Sequence, residues 1–323
     1  MPSDESTIRH VIEERTRARG GGMAGDGTRA SGGDPCVGDA RVAVYDHSSW
    51  RGYLLQRLLP SSIRLHALPD DSPEDIIARI PTSVSTFIFH IDLTCAEHLP
   101  AQREVLGIRL RDRGIDVMNQ GVVDISKRRL QQSCALIGIP TTTAVPHGAP
   151  DDLLIIKTNR NYGGLPELLS RSRLAGHAEV AGGHSSGPPD YLVARRAEIG
   201  AEVWTTPDFV VENYISNAEG RMFRAVIYGS TVAFLAFESH RSVDRVPADC
   251  TLVSAPAQVP VSVRAVVSAY TGHCRIGYGA LDVLIDDAGR AYIIDFNSTP
   301  FWGTGLLGPL RSLIRRASDE ARQ

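Results

Sequence analysis

The side chains best suited to chemistry lie near the C-terminal end of the sequence, in two apolar runs that carry acid and amide groups. Gly279-Ala280-Leu281-Asp282-Val283-Leu284-Ile285 leads into Asp286-Asp287-Ala288-Gly289, and the chain continues as Ala291-Tyr292-Ile293-Ile294-Asp295-Phe296-Asn297-Ser298-Thr299-Pro300. The Asp-Asp-Ala-Gly segment reads as the turn of a hairpin. Residues two apart on a strand share a face, so Asp295 and Asn297 point the same way, and pairing can bring Asp282 beside them. Three such groups left unpaired in a core would be costly. They suit a hard cation such as Mg²⁺, which takes a few carboxylate oxygens together with water and phosphate. Turn caps and a surface acid are the plain alternative for the trio taken alone.

A second signal is scarcity. Of 34 basic residues 32 are arginine, and lysine occurs only at positions 127 and 157. An ammonium is a compact point charge on a flexible stem and does not interchange with a planar guanidinium, so the two survivors mark places where that geometry is needed. Lys157 ends the apolar run Leu153-Leu154-Ile155-Ile156 and precedes Thr158-Asn159-Arg160-Asn161-Tyr162-Gly163-Gly164. A lysine at a strand end beside a glycine-bearing turn sets a cation and free N–H groups around phosphate oxygens. Lys127 falls early in a helix expected from about Asp124 to Ile137, where Gly138 and Pro140 stop it; a solvated helix face is its plain alternative. The run Phe209-Val210-Val211-Glu212-Asn213-Tyr214-Ile215 leaves an apolar strand for a polar connector, an exit whose backbone groups can bind adenine.

These residues need a scaffold, and the texture of the chain supplies one. The 323 residues carry a formal charge of −3, with 42% hydrophobic and 22% charged residues, enough to bury cores and too balanced for a nucleic-acid-binding field. No apolar run is long enough to span a bilayer, and the expectation is a soluble, cytoplasmic protein. Five scattered cysteines with no CxxC spacing indicate incidental thiols. Residues 1–40, rich in glycine and arginine, read as a flexible leader. From residue 41 to 118, short apolar runs (Val42–Tyr45, Thr86–Ile91, Ile115–Met118) alternate with helical stretches (Tyr53–Leu59, Pro73–Ile80, Cys95–Arg113), which predicts a small Rossmann-like parallel sheet. No GxGxxG follows its first strand, so dinucleotide binding there is unsupported. Asp46-His47-Ser48-Ser49, at that strand's carboxyl end, could line a substrate crevice or cap a helix. Strands are then expected at 191–195, 209–215, 222–228, 232–237, 280–285 and 291–296, with a helix at 261–274.

Taken in order, the motifs resemble those of the ATP-grasp superfamily, in its RimK and glutathione synthetase branch. The likeness runs from about Met118 to Gly305: Asn119, Lys127 and the Gly138-Ile139-Pro140-Thr141-Thr142 exit; Ile156-Lys157 and Asn161-Tyr162-Gly163-Gly164; the hinge Glu212-Asn213-Tyr214-Ile215; Arg224-Ala225-Val226-Ile227-Tyr228-Gly229; and Asp282, Asp295, Asn297 and Pro300. Both lysines fall at the family's lysine positions. The chain departs from the pattern at Ser126, at a short glycine loop without serine, at Met222 where relatives have aspartate, and at Asp295 in place of glutamate. Glu219 is the substitute for the missing ribose ligand.

The resemblance implies an ATP-grasp fold, α/β and α+β, preceded by the Rossmann-like domain. Its N-terminal lobe would run over residues 119–215 and its C-terminal, metal-bearing lobe over 216–323. It implies ATP and one or two Mg²⁺ ions. Lys127, Lys157, Tyr162, Gly163 and Gly164 would hold phosphates, Glu212, Asn213, Tyr214, Ile215 and Glu219 the nucleoside, and Asp282, Asp295 and Asn297 the metal. Arg224, with Lys157, would be catalytic. The expected partners are a small-molecule or peptide carboxylate and an amine acceptor, joined through an acyl phosphate; neither nucleic acid nor membrane is expected, and a homo-oligomer is open. Residues 162–166 and 176–189 are expected lid elements, and His240, Arg241, Phe301 and Trp302 would border substrate. A kinase of the same fold and a nucleotide-binding protein without turnover are the rival readings.

Overall fold

The computed structural model describes residues 41–47, 53–68, 70–96, 102–164, 166–167, 191–238, 251–253, 255–300, 308 and 310–312. The leader, Ser48, Ser49, the 176–189 segment, His240, Arg241, Phe301 and Trp302 lie outside them.

The first sheet is formed by β1 (Val42–Asp46), β2 (Ile63–His66), β3 (Thr86–His90) and β4 (Asp116–Met118), in the order β2-β1-β3-β4. Its pairings are all parallel. Between the strands run α1 (Leu54–Leu58), α2 (Pro73–Ala78) and α3 (Arg103–Asp112). α2 opens with a capping box between Ser72 and Asp75 and with proline in its first turn. β1 is buried at every position, as a strand covered on both faces must be. Ala43 and Tyr45 pack with Ile76, Ile77, Leu106 and Leu110 of α2 and α3. Val42 and Val44 pack on the opposite face with Leu54, Leu55 and Leu58 of α1. β2 escapes a reading of apolar runs because it is an edge strand with only Leu65 fully inside. α3 begins eight residues later than the periodicity suggests, and Cys95 instead bridges to Asp124.

α4 (Lys127–Leu136) is N-capped by Ser126 and ends before Gly138, whose φ of +72° suits a residue without Cβ. A small antiparallel sheet, in the order β6-β5-β7, follows from β5 (Leu153–Thr158), β6 (Leu192–Arg195) and β7 (Phe209–Asn213). It is backed by α5 (Ala201–Thr205) through a core centred on Leu154, Val203 and Val211.

The third sheet is antiparallel and five-stranded, in the order β10-β9-β8-β11-β12. It consists of β8 (Arg221–Tyr228), β9 (Thr231–Glu238), β10 (Thr251–Leu252), β11 (Tyr278–Ile285) and β12 (Ala291–Asn297), with α6 (Val261–Cys274) preceding β11. Period-two alternation divides its faces. Phe223, Ala225, Ile227, Leu281, Val283 and Ile293 pack under α4 and α6. Met222, Val226, Tyr228, Leu235 and Leu284 share a second core with Val42, Val44 and Ile88 of the parallel sheet. The molecule is thus α/β in its first part and α+β in its remainder, and the large sheet is the slab between α4 and α6 on one side and the parallel sheet on the other.

Candidate functional site

Arg224, Asp282 and Asp295 form a row across three adjacent strands: Asp282 is registered opposite Arg224 on β8 and opposite Asp295 on β12. The row depends on a defect. The register shifts between Asp282 and Val283, so that Asp282 faces Asp295 while Val283 faces Ile293, and Ile294 is the extra residue of a β-bulge. Without it Asp295 would lie on the face of Ile293, inside the helix-covered core. The extra residue turns Asp295 and Asn297 toward Asp282. Arg224 grips Asp282 through two parallel bonds, Nε–Oδ1 and Nη2–Oδ2, each 2.6 Å, with both side chains largely buried. This fork holds the first carboxylate rigidly.

Lys127 reaches the row from the first position of α4. It is 4% exposed. Its Nζ is 3.4 Å from Asn161 Oδ1 and 3.8 Å from Asp295 Oδ1. The second distance is an ion pair without a hydrogen bond, and Asp295 Oδ1 is buried with no hydrogen-bond partner. Asn161 Nδ2 in turn donates to Asn297 Oδ1 at 3.5 Å. α4 is tied in place because Lys127 N donates to Asn159 O, and Gln131 bridges Ile293 O and Thr142 N.

Lys157 stands on the small sheet, at the diagonal from Glu212 across β5 and β7. Its Nζ donates to Glu212 Oε2 at 2.7 Å, both side chains are almost fully buried, and the ring of Tyr191 lies 5.5 Å from the ammonium. Glu212 Oε1 and Thr142 Oγ1 are buried without hydrogen-bond partners. These residues, with Ile155, Asn213 and Ile215, line one side of a cleft whose other side is Leu284 and Ile294 of the large sheet. Leu284 is two residues from Asp282 on the same strand face, and Ile294 is next to Asp295 in the bulge. Two of the residues lining the cleft thus lie beside the charged row, whose own side chains do not line it.

The remaining expected residues fall as follows. Tyr162, Gly163 and Gly164 form a 3₁₀ turn with Asn161, and the glycines take φ of +64° and +83°. Asn213 Nδ2 donates to Thr143 O, and Tyr214 N donates to Leu153 O. Glu219 is exposed and pairs with Arg221 at 2.7 Å, outside the contacts that join the others. The sequence assigned no role to three site features: the bulge at Ile294, the buried Asn161 that joins Lys127 to Asn297, and Thr142 in the cleft, although Asn161 and Thr142 stand in the motifs quoted above. The bulge left a trace, since the core-facing Ile293 and Phe296 are three residues apart where a regular strand allows two or four.

The donor set fits magnesium. Among the described residues no group of three His, Cys, Asp or Glu side chains is arranged to hold a metal. Two carboxylates and an amide, with the orphaned oxygen of Asp295 among them, match the habit of Mg²⁺ of taking one or two protein carboxylates and completing its shell with phosphate and water. Among the described residues no helix is long and apolar enough to cross a membrane.

No protein-family model matches the sequence. No curated protein matches it. Among solved structures, the chain is similar to the ATP-grasp ligase PsnB complexed with a minimal precursor, at 10% identity over 85% of this chain and 99% of that one, with a TM-score of 0.49. It is also similar to a RimK domain ATP-grasp protein from Sphaerobacter thermophilus, at 14% identity over 86% and 98% of the two chains, TM-score 0.46. The D-alanine–D-alanine ligase from Bacillus anthracis complexed with ATP is similar at 12% identity over 87% and 98%, TM-score 0.43.

Proposed function

We propose that this protein is an ATP-grasp ligase that activates a carboxylate as an acyl phosphate and joins it to an amine, with release of ADP and phosphate. The observation that carries the reading is that Lys127 Nζ lies 3.8 Å from Asp295 while Lys157 lines a cleft whose far wall, Leu284 and Ile294, belongs to the strands that bear Asp282 and Asp295.

In this reading the adenine enters between Ile155 and Ile215 on one side and Leu284 and Ile294 on the other, with Glu212 and Asn213 offering polar contacts. Lys157 and Lys127 bind the phosphates. Asp282, Asp295 and Asn297 would hold magnesium, which would supply charge neutralisation of the phosphate oxygens. Arg224, fixed by Asp282, presents its remaining N–H groups to the transferring phosphoryl group and the developing oxyanion. The chain's own contribution is positioning and preorganised charge, which is what phosphoryl transfer requires.

The test is an ADP-release screen over pairs of carboxylates and amines with hydroxylamine as trap. ADP release that depends on the carboxylate, with hydroxamate formed in the presence of hydroxylamine, is the expected result. A stable phosphorylated hydroxyl product would make the protein a kinase, and Mg·ATP binding with no ADP release on any pair would leave it a binding protein.

A further inference from the structure

α4 lies along β12 with its chain direction reversed, and two side chains one turn apart on the helix meet two residues two apart on the strand. Lys127 Nζ is 3.8 Å from Asp295 Oδ1, and Gln131 Nε2 donates to Ile293 O at 3.0 Å. Four helical residues rise about 6 Å, and two strand residues advance about 6–7 Å, so the helix steps in time with the strand. Gln131 is buried. Its Oε1 accepts from Thr142 N at 3.0 Å. Thr142 O in turn accepts from Asn213 N at 2.6 Å, and Thr143 bridges to Glu212 on β7. One amide therefore joins the strand of the carboxylate row to the wall that carries Glu212, the partner of Lys157.

The bulge begins at the carbonyl this amide grips. Asp295 faces Asp282 because Ile294 is extra, and a bulge interrupts the ladder that would otherwise fix its strand. β12 is the last strand in the order of the sheet, so among the described residues no strand braces it from the far side. Gln131 does so instead. A carbonyl can only accept and an N–H can only donate, so the orientation of the carboxamide is fixed at both ends. An apolar side chain of the same volume would leave both backbone groups without these bonds.

Resting on the ligase reading, we propose that Gln131 is a positioning residue for the metal ligand Asp295. By gripping Ile293 O it holds the bulge in register, and by gripping Thr142 N it keeps the metal row at a set distance from the nucleotide wall. It acts through Asp295 and is not itself a ligand. Lys127 cannot serve in its place, because its contact with Asp295 is an ion pair on a flexible stem, without a hydrogen bond. Outer partners of this kind orient the atoms that bind a metal.

The experiment measures Mn²⁺ bound in the presence of ADP, by loss of the free-ion paramagnetic resonance signal in titrations to millimolar metal, and ADP bound without metal. Gln131→Met removes both bonds at similar volume and should weaken Mn²⁺ binding about 10–100-fold, the usual size for an outer partner of a metal ligand, while metal-free ADP binding changes little. A cycle with Asp295→Asn tests the route. Two changes that act through one group do not add, so in the Asp295→Asn background Gln131→Met should cost little further Mn²⁺ affinity. Gln131→Leu is carried through the same cycle, and melting temperature reports folding. Full additivity, unchanged Mn²⁺ affinity in folded Gln131→Met, or an equal loss of metal-free ADP binding overturns the proposal. Failure of both variants to fold also overturns it, by making Gln131 a residue of stability alone. Wild type that binds no Mn²⁺ with ADP refutes the metal-dependent ligase reading itself.

Discussion

The small sheet and the large sheet both carry largely buried charged side chains, but they are built on different foundations. Among the described residues, the large one has twenty buried residues in the core beneath it and a second core above, and the small one has three. Arg224, Asp282 and Asp295 are spread over the thick slab, whereas the thin sheet carries the buried Lys157–Glu212 pair. The difference shows where precision is required. In the proposed function, a metal-binding carboxylate row must hold its spacing to a fraction of an ångström, while a phosphate grip tolerates a support that opens at lower free energy.

The largest effect expected from this contrast is on turnover. Asp295→Ala should lower the rate of ADP release by about 10³-fold or more, by analogy with loss of one preorganised transition-state group, with Mg·ADP binding and melting temperature showing that the fold survives. Lys157→Ala should also abolish measurable turnover, and it strands Glu212 as a buried unpaired charge, at about 3–5 kcal/mol. If that cost falls on the small sheet alone, amide exchange will speed up in β5 and β7 and stay slow in β8 and β11. Uniform acceleration would mean that the two sheets open as one unit and would break the comparison.

Core truncation sharpens the contrast further. Ile293→Ala, at a fully buried position under α4 and α6, should cost about 2–5 kcal/mol in denaturant unfolding. Val211→Ala in the thin core should cost less, because fewer buried neighbours surround the cavity. The smallest effect belongs to the hairpin that sets the bulge in register. Burial alone would raise the Asp286 carboxyl, but N–H groups of Ala288 and Arg290, the Arg290 guanidinium and the Tyr292 hydroxyl outweigh it and hold the group below the usual carboxylate range. A carboxyl depressed in the fold stabilises above its unfolded value, near 4, and that stabilisation is lost as pH falls through the folded value. Asp286→Asn should therefore cost about 1 kcal/mol at neutral pH and make melting temperature less sensitive to acid below about pH 4.

Much of this arrangement was legible before any coordinates. β11 and β12 announce themselves because two apolar runs flank a turn sequence, and Lys127 and Lys157 stand out against 32 arginines. Helix α6 runs over the residues its periodicity indicates. What stayed hidden depends on contacts between residues far apart in the chain. The Lys157–Glu212 pair requires the register of β5 on β7, set across an intervening strand and helix. The hydrogen bond from Asn161 to Asn297 spans 136 positions. β2 hid because an edge strand with exposed alternate residues has little apolar signal, and the bulge hid because one added residue changes facing without changing composition.

Asn119 gives the molecule a mechanical property of its own. In a left-handed conformation with φ of +61°, its buried amide accepts from the N–H groups of Gly277 and Tyr278 and donates to Tyr278 O, stitching the end of the parallel sheet to the start of β11. A chain severed at residue 118 would thus yield fragments with raw apolar faces rather than two separately stable parts. Any opening of the molecule must swing elsewhere, leaving the parallel sheet and the carboxylate row to travel together as one anvil.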